Sequence, residues 1–146
     1  MKNLLVAVDF SPVTVDVIRT ATEVARAFGA SVRLVHIAAP NPDFVGYEAG
    51  PQTVRDVVAI HFRDDHRKLQ EIELEMRKAG INVAALLVQG DTVGKILKEA
   101  AEFGAEMIVI GSHGHGTLYD LIAGSVAEGV LRKSLCPVLV VPSPRR

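Results

Sequence analysis

The 146-residue sequence has no tryptophan and few aromatic residues of any kind, which make up 5% of the chain. It has one cysteine, so no internal disulfide can form, and its net charge is only −1 at neutral pH. Without a broad positive field, binding to the phosphate backbone of a nucleic acid is not expected. A chain of this length can bury a sufficient aliphatic core without disulfides or metals, so we predict one globular domain over residues 1–146.

Long apolar runs are absent near the start of the chain. The run Leu4–Val8 ends in the carboxylate of Asp9 and is too short for a signal peptide or a membrane span. The sequence therefore predicts a cytoplasmic protein that does not insert into membranes.

Short runs rich in β-branched residues alternate with segments of helical periodicity. This alternation is typical of an α/β domain in which helices cover both faces of an open parallel sheet. The five predicted strands are Leu4–Val8, Val32–Ile37, Val83–Val88, Met107–Ile110 and Val138–Val141. Ligands of such sheets bind beyond the carboxyl ends of the strands, where Asp9, Ile37 and Gly111 lie.

Capping residues predict where the helices begin and end. Ser11 is the predicted N-cap of the first helix, which ends at Gly29, and Asp91 is the predicted N-cap of a third helix, which ends at Gly104. A long second helix is predicted from about residue 54 to 79. The apolar face predicted for the first helix consists of Val17, Ile18, Ala21, Val24, Ala25 and Phe28.

Several side chains allow more than one interpretation. His61 and His66 diverge on the long helix, so we assign them, with Arg63, Asp64, Asp65 and Arg67, to a solvated face. His36, at a strand end, is predicted to be packed or locally hydrogen-bonded. Phe44 and Tyr47, in a loop rich in proline and glycine, could cover a ligand or anchor the loop, and we leave both readings open.

The segment Gly111-Ser112-His113-Gly114-His115-Gly116 follows the fourth strand, and Gly124-Ser125 opens the last helix. Glycines permit close backbone approach, and the N–H groups of a helix N-terminus attract anions, so the pattern suggests a phosphate site. Ser125 and Glu128 also match a capping box, which needs no ligand. Neither the P-loop nor the dinucleotide fingerprint is present. His113 and His115 have no third ligand nearby, so no metal site is predicted.

The spacing Gly111-x2-Gly114-x9-Gly124-Ser125, with Val8-Asp9-Phe10-Ser11 before it and Pro137-Val138-Leu139-Val140-Val141 after it, resembles the ATP-binding branch of the universal stress proteins. The resemblance extends over essentially the whole chain. It implies an adenine nucleotide alpha hydrolase-like fold, with one open five-stranded parallel sheet in the order 3-2-1-4-5.

The same resemblance implies a binding site for ATP, ADP or AMP, with Mg²⁺ accompanying the phosphates. Asp9 and the backbone of Ile37 would contact the adenosine, while Ile110, Gly111, His113 and Gly114 would line the ribose and phosphate loop. The phosphates would be held by Gly124, Ser125, Val126 and Ala127. Most phosphate contacts would be backbone N–H and hydroxyl bonds, since the glycine segment contains no lysine or arginine.

Three functions follow as hypotheses. The first is a nucleotide-dependent regulator or sensor in a stress response, without a catalytic residue. The second is a slow ATPase or a nucleotidyl- or phosphoryl-transfer enzyme, for which Asp9, His113 and His115 are the available groups. The third is a ligand-free dimeric adaptor. The resemblance also implies a homodimer formed through the last strand, Val138–Val141.

Overall fold

A computed structural model describes residues 1–38, 52–112 and 125–143, with side chains in the second range described from residue 59 onward. Strands and helices alternate along the chain, as the sequence predicts. The strands are β1 (Asn3–Ala7), β2 (Ser31–Ala38), β3 (Val83–Gln89), β4 (Met107–Gly111) and β5 (Val138–Val141). The helices are α1 (Thr14–Phe28), α2 (Gln52–Lys78), α3 (Thr92–Phe103) and α4 (Ser125–Lys133).

The five strands form one parallel sheet in the order β3-β2-β1-β4-β5. This result confirms the predicted fold class and strand order. Because β1 lies at the centre, with β2 on one side and β4 on the other, the direction of winding reverses beside it. The carboxyl ends of β1 and β4 are therefore neighbours, which is the position at which open sheets bind ligands.

Two hydrophobic clusters cover the two faces of the sheet. Leu4 and Val6 point into the cluster beneath α1 and α2, whereas Leu5 and Ala7 point into the cluster beneath α3 and α4. This arrangement explains why the central strands read as unbroken apolar runs, since both faces of each strand are removed from water. Residues on both faces of β1 are fully buried.

Most helix boundaries agree with the predicted caps. Gly29 and Gly104 end α1 and α3 in the left-handed conformation, at φ of 64° and 65°, which glycine adopts without steric cost. The Asp91 carboxylate accepts a hydrogen bond from the Gly94 N–H at 2.8 Å and so caps α3.

Two expectations for α1 are wrong. Ser11 does not cap the helix, which begins three residues later at Thr14 after a turn and has no side-chain cap. The Ser11 carbonyl instead accepts a hydrogen bond from the Thr14 N–H at 3.0 Å. Phe28 is 57% exposed, because the last turn of α1 extends past the buried face formed by Val17, Ala21 and Ala25. No helix within the described ranges is both long and apolar enough to cross a membrane.

Removing a core side chain from β2 tests this arrangement of layers. Leu34 is 0% exposed, so Leu34→Ala should lower the free energy of unfolding by about 2–5 kcal/mol. The same substitution at Leu74 of α2, which is 54% exposed, should cost about 1 kcal/mol or less. Urea denaturation followed by circular dichroism measures both values. Equal losses at the two positions would contradict the burial described for β2.

Candidate functional site

The carboxyl ends of β1 and β4 bring two of the predicted site residues to the same edge of the sheet. Val6 of β1 pairs with Val109 of β4, so the chain leaving β1 toward Asp9 runs beside the end of β4 at Gly111. Ile110, one residue before Gly111, is 6% exposed and packs its side chain into the core beneath α3 and α4. Any ligand contact from Ile110 must therefore come from its backbone.

Asp9 lies in a tight turn directly after β1. Its Oδ1 accepts a hydrogen bond from the Ser11 N–H at 2.9 Å, which is the geometry of an Asx turn. The next residue, Phe10, has a φ of +61°, a left-handed conformation that is uncommon for a bulky side chain. One carboxylate oxygen of Asp9 thus caps this turn, while the other has no partner among the described contacts and is available for a ligand.

The backbone of Ile37 lies where the hydrogen bonding between β1 and β2 stops. In a parallel strand the N–H and C=O of one residue point to the same side, and successive residues alternate. The Val35 carbonyl accepts from the Val8 N–H at 3.0 Å, so Ile37 also faces β1. None of the described bonds pairs Ile37 with the chain after β1, which leaves one donor and one acceptor side by side at the sheet edge.

The Val8 carbonyl would be the next acceptor for Ile37, but a side chain occupies it. His36 Nδ1 lies 2.8 Å from the Val8 oxygen, and since a carbonyl only accepts, Nδ1 carries the proton. The other ring nitrogen, Nε2, lies 3.4 Å from Asp65 Oδ2 of α2. The prediction that His36 is packed or locally hydrogen-bonded is confirmed. The residue as a whole is 9% exposed.

Asp65 was expected on a solvated face, and this expectation is wrong. Its side chain is only 27% exposed because it turns toward His36, whereas His61 and His66 are exposed as predicted. The Phe10 ring packs against the His36 ring at a centroid distance of 4.4 Å, and Lys68 Nζ lies 5.5 Å from the Phe10 centroid. Sequence reasoning missed this group of side chains because its members come from three separate elements. The sequence signal that could have pointed to it is that His36 directly precedes Ile37, whose backbone is a predicted ligand contact.

The N-terminus of α4 carries the remaining described site residues. Ser125 is exposed, Val126 is half-buried and Ala127 is 1% exposed. An α-helix leaves the N–H groups of its first turn without intrahelical partners, so this turn can receive an anion. The capping-box reading is wrong, because Ser125 is already helical and the Glu128 carboxylate accepts from Arg132 at 2.7 Å.

Other predicted residues cannot be placed. His113, Gly114 and Gly124 lie outside the described residues, as do His115, Phe44 and Tyr47. Among the residues that are described, no group of three or more histidine, cysteine, aspartate or glutamate side chains could hold a metal ion.

Two buried hydroxyls at the start of α1 lack hydrogen-bond partners. Ser11 Oγ and Thr14 Oγ1 are both buried without a partner among the described groups. Buried polar atoms are usually paired with protein or with ordered water, so unpaired ones at a sheet edge are typical of a site that takes a polar ligand or water. Asp9 and Ile37 add a carboxylate oxygen and a backbone donor and acceptor that also lack partners among the described contacts.

The fold is that of an α/β protein with an open parallel sheet covered on both faces, and its candidate site lies where the strand order reverses, at the carboxyl ends of β1 and β4. The chain belongs to the universal stress protein family, whose model matches residues 1–142.

Individual relatives agree with this assignment. Universal stress protein A homolog 1 of Coxiella burnetii is 30% identical over 96% of this chain and 95% of its own length. The solved structure of protein MJ0577, from Methanocaldococcus jannaschii, superposes with a TM-score of 0.84 at 26% identity and covers 99% of this chain and 98% of its own. A universal stress protein from Archaeoglobus fulgidus, solved in complex with dAMP, has a TM-score of 0.68 at 26% identity, covering 96% and 97% of the two chains.

Gly111 has a packing role that can be separated from any ligand contact. A Cβ added at this position would lie 2.6 Å from Val13 Cγ1, so Gly111→Ala should force the start of α1 away from β4 and cost about 1–3 kcal/mol of stability. In the double variant Gly111→Ala, Val13→Ala, the methyl group has room. We expect its cost to be at least about 0.5 kcal/mol less than the sum of the single costs. Urea denaturation of the four proteins measures this coupling, and additive costs would contradict the contact.

Proposed function

We propose that this protein binds an adenine nucleotide at the carboxyl edge of its sheet and acts in the cytoplasm as a nucleotide-dependent regulator in a stress response. The observation that carries the proposal is the unpaired backbone of Ile37, which lies at the same sheet edge as the Asp9 turn and the end of β4. A single residue that offers a donor and an acceptor in one plane suits a flat heterocycle.

Adenine provides the matching chemistry for Ile37. The base presents neighbouring acceptor and donor atoms along one edge, so the N–H and C=O of one residue can pair with both. The free carboxylate oxygen of Asp9 can accept a hydrogen bond from a ribose hydroxyl, at no cost to the Asx turn made by its other oxygen. Recognition would thus depend on the base and the sugar.

The phosphates would be held by the first turn of α4. The N–H groups of Ser125, Val126 and Ala127 and the exposed Ser125 hydroxyl supply donors, and the helix dipole favours negative charge there. From the sequence resemblance, Ile110, Gly111, His113, Gly114 and Gly124 would line the same region. Mg²⁺ bound to ATP would keep most of its waters, since it needs few protein ligands when phosphates are present.

The dAMP complex of the Archaeoglobus fulgidus protein supports the choice of an adenine nucleotide over other heterocycles. Its identity to this chain is 26%, and it covers nearly the whole fold. ATP is favoured by the sequence resemblance to the ATP-binding branch of the family, and a phosphate cradle made of backbone N–H groups would also accept ADP or AMP. A slow ATPase or transferase is the alternative that shares this site, and a ligand-free adaptor is the alternative that lacks it.

We also propose that two copies pair through β5. This strand is at the edge of the sheet, and the Pro137 and Val141 carbonyls accept from Ile108 and Ser112 of the β4 side. By alternation, the N–H and C=O of Val138 and Val140 point away from the sheet and are available to a second chain. Leu135, three residues before this strand, is fully exposed and would be covered in such a dimer.

Nucleotide binding is tested with a charge placed in the glycine segment. Isothermal titration of nucleotide-free protein with Mg·ATP and with AMP should show binding. Gly124→Asp should weaken it at least about tenfold, because a carboxylate repels the phosphates. Gly29→Asp adds the same charge at the end of α1, where nothing lies within 4 Å of the new Cβ, and should leave affinity unchanged. Because the φ of 64° strains an aspartate, circular dichroism checks that this control is folded.

A phosphate-release assay on the same samples separates the two nucleotide-binding hypotheses. Negligible release is expected for a regulator, and steady release would favour the enzyme. A folded wild-type protein that binds no adenine nucleotide would overturn the proposal and favour the adaptor.

Dimerisation is tested by removing one outward N–H. Val140→Pro deletes a donor that β4 does not use, so the protein should stay folded and sediment as a monomer. Val140→Thr keeps the N–H and should sediment as a dimer, like the wild type. Analytical ultracentrifugation distinguishes these species. A dimeric Val140→Pro variant would exclude pairing through β5.

A further inference from the structure

The hydrogen-bond ladder between β1 and β2 ends one step before the strands would allow. The Val8 N–H donates to the Val35 carbonyl, and every second residue of β2 faces β1. Ile37 is the next residue of β2 that faces β1, so continued pairing would join its N–H to the Val8 carbonyl. The carbonyl instead accepts from His36 Nδ1 at 2.8 Å. The side chain of one residue therefore occupies the acceptor that its neighbour's backbone would otherwise use.

A carbonyl oxygen can accept two hydrogen bonds, but among the described groups the Val8 oxygen accepts from His36 and not from Ile37. If the His36 donor were withdrawn, a buried carbonyl would lose its partner, and a buried polar group without a hydrogen bond is costly. The Ile37 N–H is the nearest replacement on the continuing strand, so β2 would close onto the chain after β1. The Ile37 N–H would then be bonded to the Val8 carbonyl and could not donate to a ligand.

The protonation of His36 controls how firmly Nδ1 is held. Both ring nitrogens face acceptors, the Val8 oxygen at 2.8 Å and Asp65 Oδ2 at 3.4 Å. The doubly protonated ring donates to both. A neutral ring has one proton for two acceptors, so the tautomer that donates to Asp65 turns a lone pair toward the Val8 carbonyl and releases it.

Other charged groups around the ring are already engaged. Lys68 approaches the Phe10 ring that packs on His36, and its Nζ also pairs with Asp64 at 3.2 Å. Hydrogen bonds from Arg67 and Lys68 hold the pKa of Asp64 below its usual value, so this neighbour of Asp65 stays ionised and directed elsewhere. In the turn after β1, Oδ1 of Asp9 accepts from the Ser11 N–H. From β3, the register partner of His36 is the apolar Leu87.

We propose that His36 is a positioning residue for the adenine subsite: by occupying the Val8 carbonyl it keeps the Ile37 backbone open to the base, and Asp65 makes this action depend on pH. The inference rests on the proposed nucleotide binding. His36 acts through the backbone of Ile37 and does not itself touch the ligand.

Affinity should be higher when the His36 ring carries two protons than when it is neutral, so it should fall as rising pH deprotonates the ring. If the neutral ring divides between its tautomers, the competent fraction decreases and the apparent dissociation constant rises in proportion, by about two- to fivefold. The sign follows from the geometry, since the protonated ring satisfies both acceptors and the neutral ring satisfies one.

Three substitutions at His36 separate the two ring nitrogens. The Asn amide nitrogen can occupy the place of Nδ1, so His36→Asn should bind AMP within about threefold of wild type but with no histidine-linked pH dependence. His36→Gln places its donor toward Asp65, and His36→Leu has none. Both should weaken AMP binding at pH 6 by about five- to tenfold, the equivalent of one hydrogen bond. The profile of His36→Asn also corrects for titration of the AMP phosphate.

Asp65→Asn tests the origin of the pH dependence, and His66→Gln is its matched control. Removing the Asp65 charge should flatten the pH profile of AMP affinity, because the tautomer that abandons Val8 loses its charged acceptor. His66 is exposed and adjacent to Asp65 in the sequence, so His66→Gln should retain the wild-type affinity and profile.

Amide hydrogen exchange at Ile37 in ligand-free protein supplies a readout that does not depend on nucleotide. In wild type the unpaired N–H should exchange freely, whereas in His36→Leu its new bond to Val8 should slow exchange at least about tenfold. Should His36→Leu not fold, the comparison of His36→Gln with His36→Asn decides the same question.

Unchanged AMP affinity in both His36→Leu and His36→Gln, or unchanged Ile37 exchange in them, would overturn the positioning role. Absence of AMP binding by wild type at every pH would instead overturn the proposed function, and the exchange measurement would still report whether His36 opens the ladder.

Discussion

The parallel pairing of β1 with β4 is the contact on which the rest of the molecule depends. It joins the half of the sheet built from β1, β2 and β3 to the half built from β4 and β5. Apart from the partly buried Met107, the paired residues are 0% exposed. Right-handed crossovers then place α1 and α2 on one face and α3 and α4 on the other. The carboxyl ends of β1 and β4 lie side by side in this pair, while α1 and α4, the helices that follow them in the chain, pack on opposite faces of the sheet.

Much of the fold could be predicted from the sequence because it follows from local rules. An unbroken apolar run such as Leu4–Val8 indicates a strand covered on both faces. A glycine after a helical apolar pattern indicates a helix end, as Gly29 and Gly104 do for α1 and α3. The errors arose where local rules compete. Ser11 is a good capping residue, but its N–H bonds the Asp9 carboxylate and its carbonyl accepts from the Thr14 N–H, so it lies in a turn and the helix begins at Thr14. The rotation of α2, which turns Asp65 inward, is fixed by packing that periodicity does not show.

The candidate site could be predicted only in part. Asp9 and Gly111 follow strands, and the strand order implied by the family resemblance brings them together. The reason that Ile37 has an open backbone was not accessible, because it depends on a side chain replacing one step of a regular ladder. A site made largely from backbone groups leaves little trace in residue types, since almost any side chain offers the same N–H and C=O.

Helix α2 is much longer than the strands it covers. Its 27 residues span about 40 Å if straight, while the seven residues of β3 span about 23 Å. Arg77 near its C-terminus binds the Val83 carbonyl at the start of β3, so the excess length extends past the opposite edge, and Asp65 lies near the level where the helix leaves the sheet. Leu69 and Met76, between Asp65 and the C-terminus of α2, are each 1% exposed, whereas Ile60 and Phe62, on the N-terminal side of Asp65, are 60% and 37% exposed. The contact with His36 therefore lies at the boundary between the part of α2 that packs on the sheet and the part that faces water.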